Sequence, residues 1–199
     1  MMRGLTGVIL AGGAASRFNG LMKPRLIIEG KTILSRILEE ISGLFSAMMI
    51  VTNNPESFSD VSGCRLIRDE ILNSGPLGGI HAAMKAAKTE AIFVIAGDMP
   101  FPDPQIILSM SDVYNSGKCD AVIPERCGMI EPLHAIYSVS LLPALESYLA
   151  EGGNRAVRGF IKDLNTCHLE LEDTESVRRA FMNINSPSDL RFEVGGDLD

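Results

Sequence analysis

An apolar run from Leu5 to Leu10 breaks off into Ala11-Gly12-Gly13, and two long cations, Arg17 and Lys23, follow close behind. A buried strand that ends in adjacent glycines leaves backbone N–H groups uncovered by side chains, and nearby cations reach any anion held on them. This strand-to-loop junction limits the chain to folds in which a sheet opens at its carboxyl end onto a phosphate site. Two familiar versions fail on the letters. A dinucleotide fingerprint needs G-x-G-x-x-G and an acid about 20 residues further on; here the glycines are adjacent, and the next strand ends in Val51-Thr52-Asn53-Asn54. A Walker loop ends as Gly30-Lys31-Thr32 does, but its first glycine position holds Arg25.

Apolar runs then alternate with helical periodicity. Strands are expected at Leu5–Leu10, Met48–Val51, Arg65–Arg68, Ala91–Ala96 and Ala121–Ile123. Helices are expected at Thr32–Phe45, where Ile33, Leu34, Ile37, Leu38, Ile41 and Leu44 recur at helical spacing, at Pro76–Lys88 and at Asp103–Asn115. The alternation predicts an α/β fold with a doubly wound, mostly parallel sheet. Past Pro124 the pattern changes. Leu133–Val139 is expected as a strand of a small antiparallel elaboration, Ser140–Leu149 and Arg155–Leu164 as helices, and Thr166–Leu171 as a further strand. The 199 residues suit one domain, with a nucleotide half over 1–100, an acceptor half over 101–194 and a frayed tail at 195–199.

Charge separates the ligand classes. The net charge is −7, which disfavours non-specific nucleic-acid binding. Yet residues 1–38 carry six Lys/Arg against Glu29 alone, +5 locally, leaving −12 for the rest. A cation cluster in an acidic protein suits a small polyanion. No apolar run approaches membrane-spanning length, and Met-Met-Arg-Gly opens no signal-peptide core, so a cytoplasmic protein is expected. Cys64, Cys119, Cys127 and Cys167 form no C-x-x-C and are expected as free thiols. His81 is expected on a helix face, and His134 as a hydrogen-bonded core histidine rather than a catalyst.

In a doubly wound sheet the ligand lies at the carboxyl ends of the strands. Asp98, emerging after Ala91–Ala96 and Gly97, is the expected Mg²⁺ ligand, since Mg²⁺ takes one or two carboxylates plus substrate phosphates. Asp69 is a second candidate carboxylate, with a turn aspartate as the alternative. Gly78-Gly79, costly in a helix, makes sense where a base or sugar packs on the backbone. No Ser–His or Cys–His nucleophile pair is legible. Nucleotidyl transfer needs none, because positioning and charge neutralisation carry it.

Leu10-Ala11-Gly12-Gly13-x-x-x-Arg17 with Lys23 and Gly30-Lys31 resembles the signature of the sugar-nucleotide and cofactor nucleotidyltransferases. Gly75-Pro76-Leu77-Gly78-Gly79, Asp98-Met99-Pro100, Glu131-Pro132-Leu133-His134-Ala135-Ile136-Tyr137 and Asn183-Ile184-Asn185-Ser186-Pro187-Ser188-Asp189-Leu190, in that order, look like the molybdenum cofactor guanylyltransferases, over about residues 5–191. The resemblance implies an enzyme that transfers GMP from GTP to the terminal phosphate of molybdopterin and releases pyrophosphate, with Mg²⁺. By resemblance Leu10, Ala11, Gly12, Gly13, Asn53 and Asp69 bind the nucleotide, with Thr52 or Asn54 as alternatives to Asn53; Gly78 joins them as a nucleotide contact on its cost in a helix. Arg17, Lys23 and Asp98 act on the triphosphate, Asp98 on the metal, and Asn183 and Asn185 on the acceptor. Cofactor-assembly or molybdoenzyme maturation proteins are partners the resemblance allows for. Met22 stands where the family usually has Asp, and Pro24-Arg25 looks more like a cytidylyltransferase pattern. The alternatives are therefore a cytidylyltransferase acting on molybdopterin or a sugar or polyol phosphate, and a non-catalytic nucleotide-binding protein. Arg155 and Arg158 suit either the acceptor's phosphate or a solvated helix face.

Overall fold

A computed structural model describes residues 2–12, 17–18, 21–71, 74–152 and 156–185. In chain order the elements are β1 (Met2–Leu10), β2 (Arg17–Phe18), β3 (Leu21–Met22), β4 (Ile27–Ile28), β5 (Lys31–Thr32), α1 (Ile33–Ile41), β6 (Phe45–Val51), β7 (Cys64–Ile67) and α2 (Pro76–Ala86). There follow β8 (Ala91–Ala96), α3 (Pro104–Asn115), β9 (Ala121–Arg126), β10 (Met129–Ile130), β11 (His134–Ser138), α4 (Leu142–Ala150), α5 (Val157–Ile161), β12 (Thr166–Leu171) and α6 (Glu175–Ala180).

Eight strands form one sheet in the order β10-β9-β11-β8-β1-β6-β7, with β12 on the other side of β9. The β1–β6, β1–β8, β6–β7 and β9–β12 pairs are parallel, as the βα alternation requires. The expected antiparallel strand lies within the main sheet. β11 is wedged between β8 and β9, pairing Ile136 with Phe93 and with Val122. β9 also runs past Pro124 to Arg126. The proline is tolerated because its carbonyl, not a missing N–H, is used there: it accepts from Glu131 N–H at 3.0 Å.

Both sheet faces are covered. On one, Leu5 and Ile9 of β1 meet Ile33, Leu34, Ile37 and Ile41 of α1 and Ile106, Ile107 and Met110 of α3. On the other, Val8, Met49 and Val51 meet Leu77 and Ile80 of α2, Leu145 of α4 and Phe160 of α5. Each such side chain, fully buried, contributes about 1.5–3 kcal/mol. α1 begins where Thr32 Oγ1 accepts from Ser35 N–H at 3.0 Å, and α3 where Asp103 Oδ1 accepts from Gln105 N–H at 2.8 Å. α1 stops at Ile41, with one tight turn (Ser42–Leu44) before Phe45 starts β6. Gly43 and the short connection end it earlier than the apolar periodicity implied.

Two thiol expectations change. Cys119 and Cys167 are joined as a disulfide, while Cys64 and Cys127 are free. Spacing of 48 residues gives no hint of the pairing; β12 runs beside β9, Asp120 N–H donates to Asn165 O at 2.8 Å just ahead of both strands, and the two cysteine Cα atoms stand 5.7 Å apart. Among the described residues no helix is long and apolar enough to cross a membrane.

Candidate active site

Strand order puts the carboxyl ends of β6, β1 and β8 side by side, so the loops after Val51, Leu10 and Ala96 share one edge of the sheet. Backbone bonds stitch them together. Ala11 N–H donates to Val51 O at 2.8 Å, Gly97 N–H to Leu10 O at 2.9 Å, and Thr52 N–H to Ile67 O at 2.8 Å. Ala11 is buried and Gly12 exposed, so the loop emerges into solvent at the glycine. Gly13 and the side chain of Arg17 lie outside the described residues.

Lys23 opens a single turn of tight helix (Lys23–Arg25) and is 7% exposed. Its Nζ donates to Asp98 Oδ2 at 3.0 Å and to Asn185 Oδ1 at 2.8 Å. Three residues from the beginning, middle and end of the chain thus meet around one ammonium. Glycine makes the approach possible. A Cβ on Gly97 would lie 2.8 Å from Pro24 Cγ and 2.9 Å from Leu10 O, so any side chain there would push the Lys23 turn away from Asp98.

That carboxylate already faces a cation, and its oxygen donors suit a hard divalent ion. Among the described residues no group of three or more His, Cys, Asp and Glu is placed to hold a metal. A metal at Asp98 would therefore draw its remaining ligands from phosphate oxygens and water, which is the usual manner of Mg²⁺.

Asp69 lies just beyond β7. Its backbone N–H donates to Asn53 Oδ1 at 3.2 Å, and its Oδ1 accepts from Ile71 N–H at 2.9 Å. Burial pushes its carboxyl above the ordinary aspartate range, against the lowering effect of the Ile71 N–H. Of the three asparagine-region candidates Asn53 is exposed, Thr52 is fully buried with its hydroxyl on Asn54 N–H, and Asn54 Nδ2 contacts Met22 Sδ at 3.9 Å. The glycine pair in α2 has an internal reason. A Cβ on Gly78 would stand 2.6 Å from Asp69 Oδ2, and one on Gly79 2.9 Å from Leu10 Cδ2. The close approach comes from the chain's own Asp69 and Leu10, where a base or sugar was expected.

The C-terminal pair reaches the same edge. Ile184 is buried and its N–H donates to Asp98 O at 2.9 Å, with Asn183 and Asn185 exposed on either side. The Glu131–Tyr137 motif builds a rigid turn. Tyr137 is fully buried and its hydroxyl donates to Pro132 O at 2.7 Å, while His134 N–H donates to Glu131 O at 3.0 Å. His134 is not hydrogen-bonded through its ring as expected. Neither ring nitrogen has a partner; the ring sits edge-on to Phe93 and Phe181, 5.0 Å from each. Burial holds its pKa down to about 3, so it stays neutral and is no proton shuttle. His81 is also buried within α2 rather than on an open face, with Nε2 3.2 Å from Glu146 Oε1.

Arg25 is taken up by the turn after β6. Its guanidinium donates to Ser57 O and to the Asp60 carboxylate and lies over the Phe58 ring at 5.1 Å. It clamps the Lys23 turn to the turn after β6. Arg158 donates to Ile130 O at 2.8 Å and pins α5 to the β9–β10 hairpin; Arg155 lies outside the described residues.

Residues 7–167 match the MobA-like NTP transferase domain family. The chain is 33% identical over 198 residues to a probable molybdenum cofactor guanylyltransferase of Natranaerobius thermophilus, covering 96% of this chain and 95% of the relative. It is 33% identical over 188 residues to the molybdenum cofactor guanylyltransferase of Syntrophotalea carbinolica, covering 93% and 88%. The crystal structure of molybdopterin-guanine dinucleotide biosynthesis protein A from Archaeoglobus fulgidus superposes with a TM-score of 0.78 at 28% identity, covering 94% of this chain and 95% of that one.

Proposed function

Because the chain belongs to the MobA-like NTP transferase family, an enzyme family of nucleotidyltransferases, we propose that it transfers GMP from GTP to the terminal phosphate of molybdopterin. An oxygen of that phosphate attacks the α-phosphorus of GTP. The bond from the α-phosphorus to the bridging oxygen of the β-phosphate breaks, and pyrophosphate leaves as molybdopterin guanine dinucleotide forms. The observation that carries the reading is the Lys23–Asp98 pair at 3.0 Å, set where β1 and β8 end beside the glycine loop.

Each residue then has a task in that step. The Leu10–Gly12 backbone, with Gly13, receives the nucleotide, and Asn53 and Asp69 line the same edge. Lys23 offsets negative charge on the phosphate oxygens as it builds, with Arg17 as the second cation. Asp98 would hold the divalent metal general to such enzymes, which we assign as Mg²⁺. When bound it would screen the phosphate charges and favour departure of pyrophosphate. Asn183 is assigned to the acceptor side. We assign this GTP-using enzyme to the cytoplasm; the Cys119–Cys167 bond points the other way, to a more oxidising setting.

Guanine is chosen over cytosine on the relatives, which are molybdenum cofactor guanylyltransferases. The test is pyrophosphate release with molybdopterin, comparing GTP, CTP and ATP. Release with GTP alone is expected. Release with CTP but not GTP would replace guanylyl by cytidylyl transfer, and tight nucleotide binding without release would make the protein a non-catalytic binder.

A further inference from the structure

Lys23 and Asn185 are 162 residues apart, yet Asn185 Oδ1 accepts from the Lys23 ammonium at 2.8 Å, closer than Asp98 at 3.0 Å. An asparagine on the C-terminal segment was expected to face the acceptor. Here it faces the residue expected to meet the triphosphate.

The segment that delivers it is firmly seated. Ahead of it, Arg179 of α6 lies over the Phe101 ring at 4.2 Å. Phe181 is buried against His134. Ile184 is 1% exposed and bonds through its N–H to the backbone of Asp98 itself. Asn185 is therefore presented to Lys23 from a fixed base one residue away.

The chemistry of the two acceptors differs. An ammonium has three donors, and both a carboxylate and an amide oxygen accept from it. The carboxylate also cancels its charge, and it is the group that a metal-bound nucleotide would claim. The amide oxygen holds the ammonium while leaving its full positive charge for phosphate. We propose that Asn185 is a positioning residue for Lys23: it keeps the ammonium in place when Asp98 turns to the metal–nucleotide complex, so nucleotide binding depends on the seating of residues 181–185. This rests on the nucleotidyltransferase reading, and it makes the C-terminal segment part of the nucleotide site as well as a neighbour of the acceptor.

The test is calorimetric titration of GTP with Mg²⁺, without acceptor, into the wild type, Asn185→Ala, Lys23→Met and the double variant. Asn185→Ala is expected to weaken GTP binding about tenfold, the size of one hydrogen bond to a charged group, and to change it less than about threefold once Lys23 is Met. Asn185→Asp, which keeps the shape but cancels the lysine's charge, is expected to weaken binding at least as much as the alanine. In turnover, KM for GTP should rise while KM for molybdopterin stays. Wild-type affinity in Asn185→Ala, or the same loss with and without Lys23, would overturn the proposal; full rescue by Asn185→Asp would do so as well. Wild-type protein that binds no GTP would remove the nucleotide reading, and this proposal with it.

Discussion

Gly78 offers a sharp test because two effects of one methyl group oppose each other. It lies in the first turn of α2, where alanine in place of glycine ordinarily stabilises a helix by up to about 1 kcal/mol. Here the new Cβ would lie 2.6 and 2.7 Å from the two Asp69 carboxylate oxygens and 2.9 Å from its Cγ. The aspartate side chain is too short to step aside without releasing the Ile71 N–H that its Oδ1 accepts at 2.9 Å. A hydrogen bond to a charged group is worth about 1.5–3 kcal/mol, so the loss outweighs the helix gain. Gly78→Ala should therefore lower stability by about 1 kcal/mol, about 2–4 °C in Tm for a chain of this size. In an Asp69→Ala background the same substitution meets no carboxylate and should raise stability by up to about 1 kcal/mol. Thermal unfolding of the four proteins measures the cycle, with an expected coupling near 2 kcal/mol. Equal effects of Gly78→Ala in both backgrounds would refute the steric account of the glycine. Because the displaced carboxylate is also a candidate nucleotide contact, GTP affinity should fall in Gly78→Ala whatever happens to Tm.

Three further outcomes are expected. His134, held to a pKa of about 3 against an ordinary 6.5, binds fewer protons folded than unfolded, so stability present above pH 6.5 is lost as pH falls towards 3. Between pH 7 and pH 5 that loss is about 2 kcal/mol, and chemical denaturation of His134→Phe should show it missing from the pH profile. Arg25→Lys cannot reproduce the fork onto Ser57 and Asp60, and should lower Tm and weaken GTP binding without shifting the preference for GTP over CTP; a switch to CTP would make Arg25 a base-selecting residue. Asp98→Asn should lose most of the turnover, since the metal loses its anionic ligand, and near-normal rates would discard Asp98 as that ligand.

The parallel framework was legible because each strand announces itself locally. Ala91–Ala96 is apolar without interruption, as a central strand covered on both faces must be, and its ends are those of β8. β11 was legible as a strand but not as a member of the main sheet, because its place is set by pairing with β8 and β9, each from a different part of the chain. Pro124 misled for a local reason: proline usually ends a strand, and only the carbonyl bond to Glu131 shows why β9 passes through it.

The site divides in the same way. Asp98 and the Gly12 loop could be read from their strand ends, whereas the partners of Lys23 could not. Nothing near residue 23 signals that Asn185 will sit 2.8 Å from its ammonium. Gly78 and Gly79 were visible as costly, and the sequence pointed to a ligand; the structure shows Asp69 and Leu10 in the space. The partners of Arg25 were equally hidden, because letters carry no direction; its guanidinium is directed to Ser57 and Asp60. The Cys119–Cys167 bond depends on β12 returning beside β9 from about 40 residues further on, about which no spacing rule speaks.

The most direct test of the account is calorimetric titration of the purified protein with GTP and CTP, each with and without Mg²⁺. Lys23 and Asp98 together predict GTP binding that strengthens with Mg²⁺, and the guanylyl assignment predicts that it exceeds CTP binding by at least about tenfold, or about 1.4 kcal/mol. A preference for CTP, or GTP binding indifferent to Mg²⁺, would contradict it.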